Sequence, residues 1–578
     1  MRLVRIALAQ INSTVGDLQG NLEKMLKALE DAKSQKADII LYPELSLTGY
    51  PPEDLLLKPG FIDDNLEALE QFIREVNGIL AVVGFIDRKD DIYDAAAVIS
   101  NRKLRGVYHK TYLPNYGVFD ENRYFSAGSE QTVFQWGDVR FGVNVCEDIW
   151  YADGPVSIQA HGGAELLLNL SASPYHRGKG DLRHKMVTTR ASDHGVFIAY
   201  CNAVGGQDEL VFDGNSFICS PDGRLAGSAK QFSEDLIIGD IDLDDVARFR
   251  LKNPLRRKQK ELLKKQSAAL NVIEIPSPFR KQKKAPRSFV INSSFNSVDE
   301  VYEALKLGVR DYVRKNGFTK VVIGLSGGID SALVATIAAD ALGEENVSGV
   351  FMPTRFSSDE SYQDAKLLAD NLKIDFQVLA IEDLFKDYMK VLEKPFAGKP
   401  WSIAEENIQA RIRGTLLMAL SNKFGSMVLT TGNKSEMSTG YATLYGDMAG
   451  GFAVIKDVPK TLVYDVCRAI NARAGYDRIP GNVITKAPTA ELRPNQKDTD
   501  SLPPYDILDP ILKAYVEDDK SFAEIVEMGY PREMVKKVIR LVDTSEYKRR
   551  QAPPGIKITP RAFGKDRRMP ITNRYREN

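Results

Sequence analysis

Cys146 closes a short apolar run in "GVNVCEDIW" (residues 142–150) and is followed at once by Glu147 and Asp148. The thiolate is the reactive form of cysteine, and neighbouring negative charge makes it harder to form. Either Cys146 is an inert core residue, or a positive group compensates. Two other apolar runs end on a residue able to take part in such chemistry: "ADIILYPE" on Glu44 and "RGVYHK" on Lys110. Taken singly, Glu44 reads as a surface acid and Lys110 as a solvated base.

A second kind of chemistry is written in "GLSGGIDS", that is Gly324, Leu325, Ser326, Gly327, Gly328, Ile329, Asp330 and Ser331. No Gly-Lys-Ser/Thr follows the glycines, so this is not a Walker A loop, and it lacks the GxGxxG dinucleotide pattern. Its GxSxG match would demand a later histidine for a hydrolase elbow. All five histidines (109, 161, 176, 184 and 194) precede it. What remains is a loop of small residues at a helix start, whose amides and hydroxyls can cradle phosphate with help from the helix dipole. Asp330 would repel phosphate unless a magnesium ion bridges the two. Arg411, Arg413, Lys434, Lys460 and Lys548 lie in polar segments able to supply cations to polyphosphate substrates.

The elements that must position these residues fall into two halves. Up to about Val272, strand-like runs alternate with helical ones: "VRIALAQI" precedes a stretch with Leu22, Met25, Leu26 and Leu29 at helix spacing. In a layered α/β domain the C-terminal ends of strands gather in one place, which would collect Glu44, Lys110 and Cys146. Residues 275–294 combine three prolines, a basic run and a polar tail, and read as a linker. "SVDEVYEALKLGVRDYVRKNG" is an amphipathic helix with a serine cap and a glycine stop. A buried strand, the glycine loop and a helix then open a nucleotide-binding α/β domain. The expected division is 1–272, a linker at 273–295, and 296–578.

Composition narrows the class. At 578 residues, 43% hydrophobic and 27% charged, the chain is ordinary globular protein of two or more domains. A net charge of −1 gives no global attraction to nucleic acid or anionic membrane. Four cysteines without a CxxC pair form no disulfide framework and suit a reducing cytoplasm. The N-terminal "MRLVRIALAQ" reads as a first strand rather than a secretory signal, and no apolar run approaches the ~20 residues of a membrane span. The cationic tail from Lys548 to Arg568 lacks interleaved aromatics apart from Phe563, which favours phosphate over RNA.

"SGGIDS" resembles the loop of the ATP pyrophosphatase group. "ENIQARIRG", "TTGNKSEMSTGYATLYGDMAGG" and "SEYKRR", in that order along the second half, resemble NAD synthetases. That resemblance implies ATP contact at Thr431 and deamido-NAD contact at Asn407, Glu436 and Lys548, with Glu436 also helping Asp330 to hold Mg2+. In the first half, Glu44, Lys110 and Cys146 resemble the Glu-Lys-Cys triad of the nitrilase superfamily, together with "PELSLTGYP" and "DENRYF". The implied fold is an N-terminal α-β-β-α sandwich followed by a doubly wound parallel-sheet domain. A nitrilase-like domain ahead of an NAD synthetase domain is the arrangement of the glutamine-dependent NAD synthetases.

The resemblance implies that Cys146 attacks glutamine, that Glu44 moves the proton and that Lys110 offsets negative charge. It also implies that Glu121 orients Lys110 or the amide, and that Tyr116, Ser173 and Lys179 contact glutamine. Ammonia would pass through a tunnel to deamido-NAD activated by ATP, in a cytoplasmic homo-oligomer. Cys201, Cys219 and Cys467 keep the inert reading. A GMP or asparagine synthetase would resemble other glutaminase domains, and a non-enzymatic scaffold would not need an intact Glu44, Lys110 and Cys146.

Overall fold

The computed structural model describes residues 1–254, 258, 270–276, 286–494 and 496–575. The chain divides into two compact units, Met1–Gln207 with Val211–Phe295, and Asp208–Leu210 with Asn296–Asn578.

The first unit holds two large sheets. One runs Asp235–Asp242, Leu3–Gln10, Ile39–Leu41, Leu80–Arg88, Ile92–Ser100, Lys103–His109. The other runs Leu225–Ser228, Phe217–Cys219, Phe197–Asn202, Leu166–Ser171, Val139–Val145, Gln131–Trp136, Leu270–Ile275. Side chains alternate across a strand, so each strand feeds two cores. Val4, Ile6 and Leu8 pack with Val143, Val145 and Leu168 of the other sheet. Ala7 and Ala9 point the opposite way, onto Met25, Leu29 and Phe72 of helices Leu18–Ser34 and Pro59–Glu75. Leu167 and Ile198 likewise meet Val156 and Ala160 of helix Pro155–His161 and Val187 and Ala191 of helix Lys179–His194. The result is a helix-sheet-sheet-helix sandwich. Asp17 caps the first helix by accepting a hydrogen bond from the Gly20 amide at 3.0 Å.

Two expectations are corrected. A boundary at 272 cuts the strand Leu270–Ile275, which pairs in parallel with Gln131–Trp136 and buries Ile275. Past it, Phe289 packs against the core between the sheets and the Val290 carbonyl accepts from the Ser228 amide at 3.0 Å, so residues 286–295 belong to the first unit. The basic run at 280–284 lies outside the described residues. Helix Ser297–Lys315 is capped by Asn296, whose side chain accepts from the Val298 and Asp299 amides, and Ser297 is its first residue. Gly317 (φ 79°) follows the helix in the left-handed region.

The second unit is built on a five-stranded sheet in the order Asp375–Val378, Val347–Phe351, Lys320–Gly324, Ser426–Thr430, Phe452–Ala453. Every pairing is parallel. Connections leave strand Lys320–Gly324 to one side first and later cross to the other, so the chain reverses direction there. Ligands bind at the carboxyl ends of strands at such a switch point, and the glycine loop follows that strand directly. Helix Ile329–Leu342 is buried almost all round, which explains its lack of a polar face. The last residues form a helical layer around Leu508, Ile511, Val535, Val538 and Val542. Among the described residues no helix is long and apolar enough to cross a membrane.

Candidate active sites

In the first unit, Glu44 follows strand Ile39–Leu41 and Lys110 follows strand Lys103–His109. Strands Leu80–Arg88, Ile92–Ser100 and Lys103–His109 are successively antiparallel, so the last points the same way as Ile39–Leu41. Both residues therefore emerge at one end of the sheet. The Glu44 loop lies flat on Gly84, where a Cβ would stand 2.4 Å from the Leu45 nitrogen, so no side chain fits. Lys110 is 1% exposed, and its Nζ lies 2.5 Å from Glu44, 2.7 and 2.9 Å from the two oxygens of Glu121, and 3.3 Å from Asp94. Glu44 accepts a further hydrogen bond from the Ala172 amide at 2.7 Å, and Glu121 one from the Tyr50 hydroxyl at 2.8 Å. Burial opposes the Lys110 charge, but Glu121, Glu44 and Asp94 outweigh it and hold the ammonium well above its ordinary value.

Cys146 comes from the facing sheet, at the end of Val139–Val145 and the start of a short 3-10 turn. Its φ of 40° is left-handed, a strained setting for a residue with a side chain. Asp148 holds this turn. One of its oxygens accepts from the Val145 amide (3.0 Å) and the Tyr108 hydroxyl (2.9 Å), the other from the Thr111 (3.1 Å) and Tyr112 (2.9 Å) amides. The acid two residues after the cysteine is thus a buried tether between the cysteine turn and the chain just after Lys110. Burial raises the thiol well above its ordinary value, and Glu44 adds to this more than Lys110 subtracts. The resting sulfur is a thiol, so attack requires a base to remove its proton.

The remaining first-unit candidates lie around this centre. Tyr116, 58% exposed, donates its hydroxyl to both oxygens of Glu147 at 2.9 and 3.0 Å. Lys179 starts helix Lys179–His194 and places its ammonium 6.0 Å from the ring centre of Phe119, which meets Tyr116 edge-on. Ser173 is buried, with its amide bonded to Asn202 at 2.9 Å. Glu147 and Lys179 therefore present opposite charges near one another, and each acts on the other's field.

In the second unit the glycine loop is stitched by its own hydroxyls. The Ser326 amide donates to Ser331 Oγ (3.2 Å), the Gly328 amide to Ser326 Oγ (3.2 Å), and Ser331 Oγ to the Gly328 carbonyl (3.0 Å). Gly327 (φ 75°) packs so tightly that a Cβ would stand 2.3 Å from the Ser361 carbonyl. Gly324, Leu325, Ser326, Gly328, Ile329, Asp330 and Ser331 line a cleft shared with Thr431 and Glu436, while Gly327 packs against Ser361 and does not line it.

Asp330 accepts from Asn433 at 3.1 Å and pairs with Lys460, whose ammonium is also 3.7 Å from Glu436. Burial and the Asp330 charge push Glu436 up to about 8, against the pull of Lys460. Two carboxylates with too little positive charge between them suit a divalent cation that shares phosphate oxygens, so the donor set fits magnesium. Asn407 and Lys548 do not line the cleft. They hold its rim at 440–443: Thr443 donates to Asn407 at 2.8 Å, and Lys548 donates to the Gly440 and Ala442 carbonyls at 2.8 and 2.9 Å.

Of the expected cations, Arg413 and Lys460 line the cleft. Lys434 does not. It is 3% exposed and bonded to Asp457 (2.9 Å), Glu517 (2.7 Å) and Thr559 (2.6 Å), so it anchors the C-terminal segment. The basic tail is likewise folded into its surroundings. Lys557 pairs with Asp566 at 2.5 Å, Arg549 with Glu546 at 2.8 Å, and Arg549 lies over Phe563 at 4.5 Å.

Sequence reasoning missed Asp94 and Tyr50, and took Asp148 only as a neighbouring charge. Asp94 adjoins Ala95, which pairs with His109, the residue before Lys110. Only the strand register brings it there, and no spacing along the chain signals it.

Residues 5–251 match the carbon-nitrogen hydrolase family and residues 301–552 the NAD synthase family. The chain is 50% identical to the glutamine-dependent NAD(+) synthetase of Thermotoga maritima, each covering 100% of the other. It is 48% identical to that of Aquifex aeolicus, over 99% of this chain and 100% of that one. The structure of the glutamine-dependent NAD+ synthetase from Acinetobacter baumannii in complex with ADP aligns at a TM-score of 0.75 and 41% identity, over 99% of this chain and 98% of that one. With both domain families present and similarity running end to end, the chain belongs to the glutamine-dependent NAD(+) synthetases.

Proposed function

We propose that Glu44, Lys110 and Cys146 hydrolyse glutamine, and that the glycine-loop cleft uses the ammonia released to amidate deamido-NAD at the expense of ATP. The observation that carries the first half is Lys110, buried, clamped by Glu44 and Glu121, and close enough to act electrostatically on Cys146, whose backbone is strained. Glu44 takes the Cys146 proton as Sγ bonds to the side-chain amide carbon, and returns it to the nitrogen as the C–N bond breaks. Lys110 stabilises the oxyanion that forms. Glu44 then takes a proton from the water whose oxygen bonds to the thioester carbon and passes it to Sγ as the C–S bond breaks, releasing glutamate and the Cys146 thiol. Tyr116, Glu121, Ser173 and Lys179 hold the substrate, with Lys179 suited to its carboxylate and Glu147 to its ammonium group.

In the second unit, an oxygen of the nicotinate carboxylate attacks the α-phosphorus of ATP and pyrophosphate leaves. Ammonia then attacks the acyl carbon, AMP leaves, and one proton is lost. Residues 324–331 and Thr431 hold ATP, with amides of the loop facing phosphate. Asn407, Glu436 and Lys548 position deamido-NAD. Asp330 and Glu436 would hold Mg2+, which neutralises triphosphate charge when bound. Ammonia in water at neutral pH is mostly protonated and then no nucleophile, so its passage as neutral NH3 through an enclosed route favours coupling. The reaction takes place in the cytoplasm, in a homo-oligomer, with no nucleic-acid partner. Light scattering of the full chain tests the assembly.

Cys146→Ala tests the whole reading. It should make no NAD from glutamine yet make NAD from ammonium, with the rescue strengthening as pH rises toward the amine pKa. Initial rates with each donor across a pH series decide it. A folded variant dead with ammonium at every pH, or fully active with glutamine, would sink the assignment.

A further inference from the structure

The cluster around Lys110 holds one acid more than the reaction needs. Oxygens of Glu44, Asp94 and Glu121 lie within 4.8 Å of one another, and the three residues are 2%, 0% and 5% exposed. Lys110 is the cation they share. Three carboxylates face one ammonium in a buried cluster, an excess of negative charge if all are ionised. Carboxylates this close and this dry do not all ionise, so at least one keeps its proton.

The hydrogen bonds single out which one. Glu44 accepts from Lys110 and from the Ala172 amide. Glu121 lies against Lys110 through both oxygens and accepts from Tyr50. Asp94 has only the longest contact to Lys110, at 3.3 Å, and its buried Oδ1 meets no donor. Side by side, two ionised carboxylates only repel; a proton on one turns the contact into a hydrogen bond.

We propose that Asp94 is a positioning residue held as a neutral carboxylic acid, donating its hydrogen to Glu44 so that this base is held correctly aimed. The inference rests on the glutaminase reading above. Its electrostatic setting agrees: burial raises Asp94 well above the carboxylate range, Lys110 pulls it down, and Glu44 and Glu121 raise it again. The other titratable groups at the centre are Cys146, which senses Glu44, Lys110, Glu147 and Glu121, and Tyr50, which senses Glu121, Lys110, Glu44 and Cys146. The Asp94 carbonyl also accepts from the Lys110 amide at 2.9 Å, which fixes the acid relative to the lysine backbone.

Glutaminase rates across pH should be measured for full-length wild type, Asp94→Ala and Asp94→Asn, with ammonium-supported NAD formation reporting on folding. An asparagine amide donates as the acid does but cannot ionise. Asp94→Ala should lose about 100-fold or more, while Asp94→Asn should recover to within about tenfold of wild type. Its alkaline limb should lie at higher pH than that of wild type, because the proton whose loss disables the site is gone. Asp94→Asn as inactive as Asp94→Ala, or an unmoved alkaline limb, would overturn the assignment. Should Asp94→Ala fail to fold, the limb of Asp94→Asn decides alone. Cys146→Ala in parallel separates the two levels. Retained glutamate production there removes the triad and this inference with it, whereas a dead Cys146→Ala beside a failing Asp94→Asn removes only Asp94.

Discussion

The two sites handle charge in opposite ways. Around Lys110 the partners are assembled and dry before any ligand arrives: every acid touches the lysine, and Cys146 is 4% exposed. Around Asp330 the arrangement is incomplete. Lys460 bridges Asp330 and Glu436, yet Glu436 still lies near 8. At the proposed glutaminase site the excess acid is settled internally, by a lysine and a retained proton, whereas the proposed polyphosphate site leaves charge for its ligands to settle.

The comparison is broken most severely by removing the acid of the glycine loop. Asp330→Ala should abolish NAD formation with either nitrogen donor, a loss of about 1,000-fold or more, while glutaminase persists. Pyrophosphate release with ammonium as donor measures it, and near-normal release removes Asp330 from the mechanism.

Lys434→Met sharpens the contrast between a cation that serves a ligand and one that serves the fold. It leaves Asp457 and Glu517 buried without their cation, at about 3–5 kcal/mol. Denaturant melts of the full chain should show an early transition, with synthetase activity lost in step with unfolding. An unchanged melt would refute the anchoring role.

Asp148→Asn acts on the first site alone. The amide cannot accept all four donors, so the cysteine turn loosens, at about 1–3 kcal/mol. Glutaminase should fall by about 10- to 100-fold through kcat, on the scale of a misplaced catalytic group, with ammonium-supported synthesis intact. Equal loss of both activities would mean a global defect.

The smallest effect is on pH-dependent stability. Burial, chiefly, raises Glu121 from 4.5 to about 7. An acid raised on folding contributes stability that is fully present below its unfolded value and is lost as pH climbs through the folded one. Glu121→Gln should therefore melt with a shallower decline between pH values of about 5 and 8 than wild type. Parallel slopes would exclude Glu121 as a source of that decline.

Much of the layout was legible because it is local. Short apolar runs marked the strands whose ends carry Glu44, Lys110 and Cys146, and small residues after an apolar strand marked the loop containing Asp330. The helix cap was misread by one residue because Asn296 and Ser297 are both good caps and only backbone geometry separates them. The strand Leu270–Ile275 was taken partly as linker because it lies at a sheet edge with only Ile275 buried, so its sequence carries little core pattern.

Residue types, periodicity and order along the chain determined the two α/β halves, the strand ends and the glycine loop, since all follow from neighbours in sequence. Tertiary structure alone decided that Asp94 joins Glu44 and Glu121 around Lys110, that Asp148 tethers the cysteine turn instead of opposing the thiolate, and that Lys434 anchors the C-terminal segment while Lys460 serves the cleft. The reason is physical. A charge in sequence is only a formal charge, and its effect depends on burial and on partners up to 130 residues away, which strand register and packing bring within hydrogen-bonding distance.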